Sequence, residues 1–143
     1  MERIPDQLLT NYKTQTRKSS PVIEHLKIAA ALKLWNDRDF KDIKFEVPIA
    51  YGKKTVFVKV LAKNDEGVVF GVECASTVRL DWLRKRIETL QACLPRDSYI
   101  IAVFPQTAAE RAQKAAKFAD EVWVTGKKDT VTQMIFTSTF HKE

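Results

Sequence analysis

The stretch KTVFVKVLAKNDEGVVFGVECA, residues 54–75, limits the fold more than any other part of the chain. Side chains alternate across a pleated strand, so Val56, Val58 and Val60 face one way and Phe57, Lys59 and Leu61 the other. Both rows are otherwise apolar, which implies a central strand covered on its two faces. After the turn KNDEG, the run VVFGVECA has the same character, with Glu73 inside it. A sheet with helices on both faces follows, and with it a question: what do a lysine and a glutamate do inside a buried hairpin?

With 143 residues the chain is long enough for one domain with its own core and too short for two ordinary ones. At 45% hydrophobic and 29% charged it reads as globular. Lys and Arg number 24 against 18 Asp and Glu, a net charge of +6 that favours an anionic partner such as nucleic acid. Cys74 and Cys93 form no C-x-x-C pair, and His25 and His141 lie too far apart to supply a zinc pattern. Cys74, in an apolar strand, reads as a buried free thiol. The opening MERIPDQLLTNYK lacks the apolar core of a secretory signal, and no apolar run reaches membrane-spanning length. A reduced, cytoplasmic protein without a membrane partner is expected.

Residues 1–19 are expected to form a polar arm or a short helix ahead of a single domain, 20–143. Ser20 suits a helix cap and Pro21 the first helical position, with Val22, Leu26, Ala29 and Ala30 as the apolar face of a helix over 21–36. Strands follow near 44–49, 54–63 and 67–75, the first pushed toward a sheet edge by Pro48. Leu80, Leu83, Ile87, Leu90 and Leu94 fall at helical spacing and place an amphipathic helix over 79–93. A buried strand at 98–104, an alanine-rich helix at 106–118 and a strand at 121–125 complete the order αβββαβαβ, and VTQMIFTSTF can add a last edge strand. A meander followed by β-α-β crossovers makes a mixed α/β sheet. An open doubly wound nucleotide-binding sheet is the second choice, but neither phosphate-loop motif occurs and the chain has only four glycines.

A helix carrying Glu24, three antiparallel strands, a helix and another strand resembles the core of the PD-(D/E)xK nuclease superfamily, which includes archaeal Holliday junction resolvases and restriction endonucleases. The resemblance spans residues 20–105. It implies a restriction-endonuclease-like fold in which an aspartate on the second strand, a carboxylate-x-lysine on the third and a helix glutamate hold magnesium. The metal would activate a water and stabilise charge on the phosphate, with the lysine beside the nucleophile. Glu24 and Glu73 occupy two of these positions. Lys59 stands where the aspartate is expected, and Ala75 where the lysine is expected. Lys85 or Arg84 could replace that lysine, since the group migrates in this family. An ammonium in place of a carboxylate repels a divalent ion, so the resemblance implies a remnant catalytic site of Glu24, Glu73 and Lys59 and no resident cofactor.

Lys59, Glu73 and Glu24 are therefore expected to form an internal ion cluster, because an isolated buried charge costs several kcal/mol. His25 reads as a solvated helix residue, and Trp35 and Trp123 as packing residues. Arg79, Trp82, Arg84, Lys85 and Arg86 crowd one helix, a cationic face with an aromatic suited to phosphates and bases. The reading is a nuclease-fold protein that has lost hydrolysis and binds nucleic acid, DNA first, through that face, with a homodimer possible. The alternatives are an active magnesium-dependent endonuclease with relocated ligands, and a structural subunit with no nucleic-acid role.

Overall fold

In a computed structural model covering residues 4–15, 19–126 and 136–142, Ser20 caps the long helix through its side chain, accepting a hydrogen bond from the Ile23 N–H. The first helix, α1, spans Asp6–Gln15, and the long helix, α2, spans Pro21–Asp37. Leu26, Ala29, Ala30 and Leu34 are buried along α2, whereas Val22 in its first turn is 41% exposed, outside the apolar face expected of it. Strands β1 (Asp42–Tyr51), β2 (Lys54–Lys63) and β3 (Val69–Cys74) then form an antiparallel meander. The crossover helix α3 (Leu80–Cys93) leads to β4 (Tyr99–Phe104), which lies parallel to β3. Beyond α4 (Ala109–Ala112), β5 (Glu121–Thr125) runs parallel to β4 and β6 (Phe136–His141) returns antiparallel at the edge. Among the described residues six strands stand in sequence order in one mixed sheet flanked by helices. The last strand overlaps the end of the stretch expected for it and runs one residue further; residues 131–135 of that stretch fall outside the described residues.

β4 shows how the core is divided. Ile101 and Val103 point into a cluster with Leu26, Ala30, Phe45, Val60, Val72 and Trp123 beneath α1 and α2. Ile100, Ala102 and Phe104 join Leu83, Ile87, Leu90 and Val122 beneath α3 and α4. In β2 the row Val56, Val58, Val60 and Ala62 is buried, while Phe57, Lys59 and Leu61 are only partly covered, so the strand is less enclosed than its apolar pattern implies. Its covering also changes along its length: Val60 and Ala62 belong to the α2 side and Val56 and Val58 to the α3 side. That change falls beside Glu46, whose φ of 46° breaks the regular run of β1.

One element differs from the sequence expectation. The alanine-rich segment 106–118 is not one helix but a 3-10 turn at Gln106–Ala108, the single α turn of α4, and a second 3-10 stretch at Gln113–Lys117. Ala112, Ala115, Ala116 and Ala119 are all buried, and these small side chains bring the backbone down onto the sheet in the tighter winding that 3-10 geometry gives. The segment ahead of Ser20 contains α1, which packs on β1 with Leu8 buried. Asn11 Nδ2 donates to the Ile43 carbonyl at 2.9 Å, and the Phe45 N–H donates to Gln15 Oε1 at 2.8 Å. Those two side chains satisfy part of the outer edge of β1, a row of groups that would otherwise invite another strand.

Candidate functional site

In the β2–β3 ladder Val60 pairs with Val72 and Leu61 with Gly71, so one step further along stand Lys59 and Glu73. Glu73 is 1% exposed and directed toward α3. The Lys59 ammonium binds its Oε1, and the Arg86 guanidinium binds Oε2 through Nε while Nη2 donates to the Phe57 carbonyl. Lys59 and Arg86 each keep about a fifth of their side chain in solvent. Both carboxylate oxygens of Glu73 are thus held by cations. Lys59 and Glu73 meet as expected, but the second cation is Arg86, which belonged to the cationic face in the sequence reading. It is turned inward because Leu83, Ile87 and Leu90 seat α3 on the sheet and its neighbouring position reaches back to β3.

Glu24 is engaged elsewhere. Its Oε1 accepts from the Tyr12 hydroxyl at 2.7 Å, and its Oε2 accepts from the Ser19 hydroxyl at 2.7 Å and lies 2.9 Å from Lys27 Nζ. Lys27 is fully buried and also reaches Glu46 at 3.2 Å. Burial raises the Glu24 carboxyl, but the bonds from Lys27, Tyr12 and Ser19 outweigh it and bring the pKa down from 4.5 to about 2. The described contacts of Glu24 therefore build an α1–α2–β1 network on one side of the sheet, while Lys59, Glu73 and Arg86 build another toward α3. The single cluster of Lys59, Glu73 and Glu24 is replaced by these two. Cys74, between them, is buried, and burial pushes its thiol well above the ordinary range, so the inert reading of this residue stands.

A divalent ion makes its own demand on this donor set. Such an ion needs several oxygen ligands, yet Glu73 has both oxygens in ion pairs with Lys59 and Arg86. Among the described residues no group of three or more His, Cys, Asp or Glu side chains is placed to hold a metal. Around Glu73 the described residues therefore do not fit magnesium.

A groove of about 340 Å³ opens over this region, between the start of α2 and the start of α3. Lys59, Arg79 and Trp82 line it together with the hydroxyls of Ser19, Ser76 and Thr77. Trp82 is 46% exposed. Arg84 and Lys85 are exposed on the outer side of α3, Arg84 in a loose 3.7 Å pair with Glu88. Ala75, at the position where the sequence resemblance implies a lysine, also lines the groove, and neither Arg84 nor Lys85 is among the residues lining it. His25 is half-buried, Trp123 is buried and Trp35 lies partly covered under Lys41.

The sequence reading missed a second buried carboxylate. Glu121, 2% exposed, receives the Arg38 guanidinium at 2.6 Å, the Tyr99 hydroxyl at 2.8 Å and the Trp123 indole N–H at 2.7 Å. Burial raises its pKa and these three donors more than reverse that, so it lies below the usual carboxylate value. Tyr99 moves the other way, up to about 12, through burial and then its bond to this anion. A glutamate opening an apolar strand was the available signal; its arginine partner, 83 positions away, had none.

The same arrangement of sheet and helices occurs in known structures. An XisH family protein from Nostoc punctiforme superposes with a TM-score of 0.54, at 15% identity, over 84% of this chain and 98% of that one. An fdxN element excision controlling factor protein from Anabaena variabilis gives 0.55 at 16% identity, over 85% of this chain and all of that one. A repair endonuclease from Pyrococcus abyssi overlaps more loosely, with a TM-score of 0.38 at 19% identity over 69% of this chain and 45% of that one. At these identities the likeness is one of fold. Neither a scan of family models nor a search of curated proteins finds a match. Strand order, strand direction and the helix between β3 and β4 place the chain among mixed α/β folds, in the arrangement shared with the XisH family protein and the excision controlling factor.

Proposed function

We propose that this is a nuclease-fold protein that has given up metal-dependent hydrolysis and binds nucleic acid, DNA foremost, through the exposed face of α3. The observation that carries the first half is the double cationic cap on Glu73: Lys59 and Arg86 supply internally the positive charge that a metal would bring. Binding is supported by the exposed Arg79, Arg84 and Lys85 beside an exposed indole, on a chain of net charge +6. Arg86 is removed from the binding set because its guanidinium is committed to Glu73 and Phe57. Among the described residues no element is arranged like a recognition helix, so the contacts are to phosphate and carry little sequence information.

The test is a titration of duplex, single-stranded and branched DNA at several salt concentrations. Each phosphate neutralised by a cation steepens the log–log salt dependence on duplex by about 0.9. The Arg79→Ala, Lys85→Ala double variant should bind more weakly with a flatter slope and an unchanged melting temperature. Absence of salt-dependent binding to all three forms at about 50 mM salt, where phosphate contacts are strong, overturns the reading.

A further inference from the structure

A second groove of about 340 Å³ lies beside the first, lined by Ser76, Thr77 and Val78 and by Thr107, Ala108, Glu110 and Arg111. The two grooves share Ser76 and Thr77, which are exposed, so the β3–α3 loop forms a low ridge between them. This continuity follows from the topology. β3 and β4 are adjacent and parallel, so the loops after Cys74 and Phe104 leave the same edge of the sheet. In open α/β sheets that edge, at the carboxyl ends of the strands, is where ligands settle. Each groove lies near the lower end of the range for small-ligand sites, about 300–1,000 Å³.

We propose that the two grooves form one trough for a single-stranded nucleic acid. Its bases meet Trp82 at one end, its backbone crosses the Ser76–Thr77 ridge, and Arg111 with Thr107 grips a further phosphate at the other end. This rests on the nucleic-acid reading above and adds a contact site on the α4 side that α3 does not provide. The chemistry fits the ligand class. Lys59 and Arg79 stand in the first groove and Arg111 in the second, with hydroxyl donors along the path between them. An exposed indole stacks on any base but needs that base unpaired, which a duplex does not offer and a single strand does. Glu110 is the acidic side chain lining the second groove and opposes a phosphate there. Its removal is therefore an internal control of opposite sign.

The experiment is fluorescence anisotropy with labelled oligothymidylates from two nucleotides upward and a blunt duplex, on the full chain and on Arg111→Ala, Arg111→Gln and Glu110→Gln. Affinity of the wild type should climb with length and level off once the strand spans both grooves, within the range of about 4–16 nucleotides typical of such sites. Either Arg111 variant should bind the long oligomers severalfold more weakly, with a salt slope flatter by about 0.7, and bind the dinucleotide as the wild type does. Glu110→Gln should bind the long oligomers more tightly. Both residues are exposed, so melting temperatures should match the wild type, and the two Arg111 variants check each other for folding defects. Long oligomers bound equally by wild type and both Arg111 variants would overturn the trough while leaving binding through α3 intact. No binding of any oligomer or of the duplex would overturn both.

Discussion

At the scale of single residues the protein is organised around three buried carboxyl-bearing or cationic centres, Glu73, Lys27 and Glu121, each enclosed by partners of opposite charge or strong donors. Only the Lys59–Glu73 contact could be read in advance, because strand alternation and the short hairpin set those two residues opposite one another. Arg86 was legible as a cation on α3 but not as the partner of Glu73, since which side of a helix turns inward is decided by the sheet beneath it. Arg86→Ala leaves a buried carboxylate with one cation in place of two and the Phe57 carbonyl without its donor. Breaking a buried pair costs about 3–5 kcal/mol, and with Lys59 still present the loss should fall toward the lower end, read by urea unfolding. Arg86→Lys should recover only part of it, because an ammonium lacks the fork that reaches both acceptors. A loss too small to resolve would contradict the cap. Acid tests the other network. Glu24 is depressed from 4.5 to about 2, so the stability it contributes is present above the unfolded value and lost as pH falls through the folded one. Melting temperature should drop as pH is lowered from about 4.5 toward 2, and the Tyr12→Phe, Ser19→Ala variant, stripped of two donors to Glu24, should show a smaller drop that is complete at higher pH.

Elements were legible where the sequence pattern and the local physics agreed. Ser20–Pro21, the leucine spacing of α3 and the alternation of β2 each gave a correct element, since capping, amphipathicity and pleat are local properties. The segment 106–118 was not legible. Alanine favours a helix in isolation, whereas here the buried alanines press the backbone against the sheet and the winding tightens to 3-10. The same dependence on a neighbour governs Gly71 in β3. A Cβ there would stand 2.8 Å from Leu94 Cδ1 and 3.4 Å from Ile100 Cδ1, so the glycine lets the end of α3 close onto the strand. Gly71→Ala should therefore destabilise by about 1–3 kcal/mol, as overpacking does. Pairing it with Leu94→Ala should give less than the sum of the two single losses. Strict additivity would mean that Leu94 is not what the glycine accommodates.

For the whole molecule, the mixed sheet has the element order that the sequence resemblance implied, while the charges at its centre do not follow that resemblance. Where the superfamily resemblance implies carboxylates gathered around a cation, this chain gathers two cations around one buried carboxylate and lines the groove above with Lys59 and Arg79. Lysine at 59 and alanine at 75, where the resemblance implies an aspartate and a lysine, were readable from the sequence. The division into a Glu73 network and a separate Glu24 network was not, because it depends on Lys27 being buried between Glu24 and Glu46. Calorimetric titration of the wild type with manganese and with magnesium tests this account most directly. Saturable binding at a single site should not be seen, because displacing Lys59 and Arg86 from Glu73 would leave two half-buried cations without their counter-charge. A stoichiometric site for either ion that disappears in Glu73→Gln would contradict it.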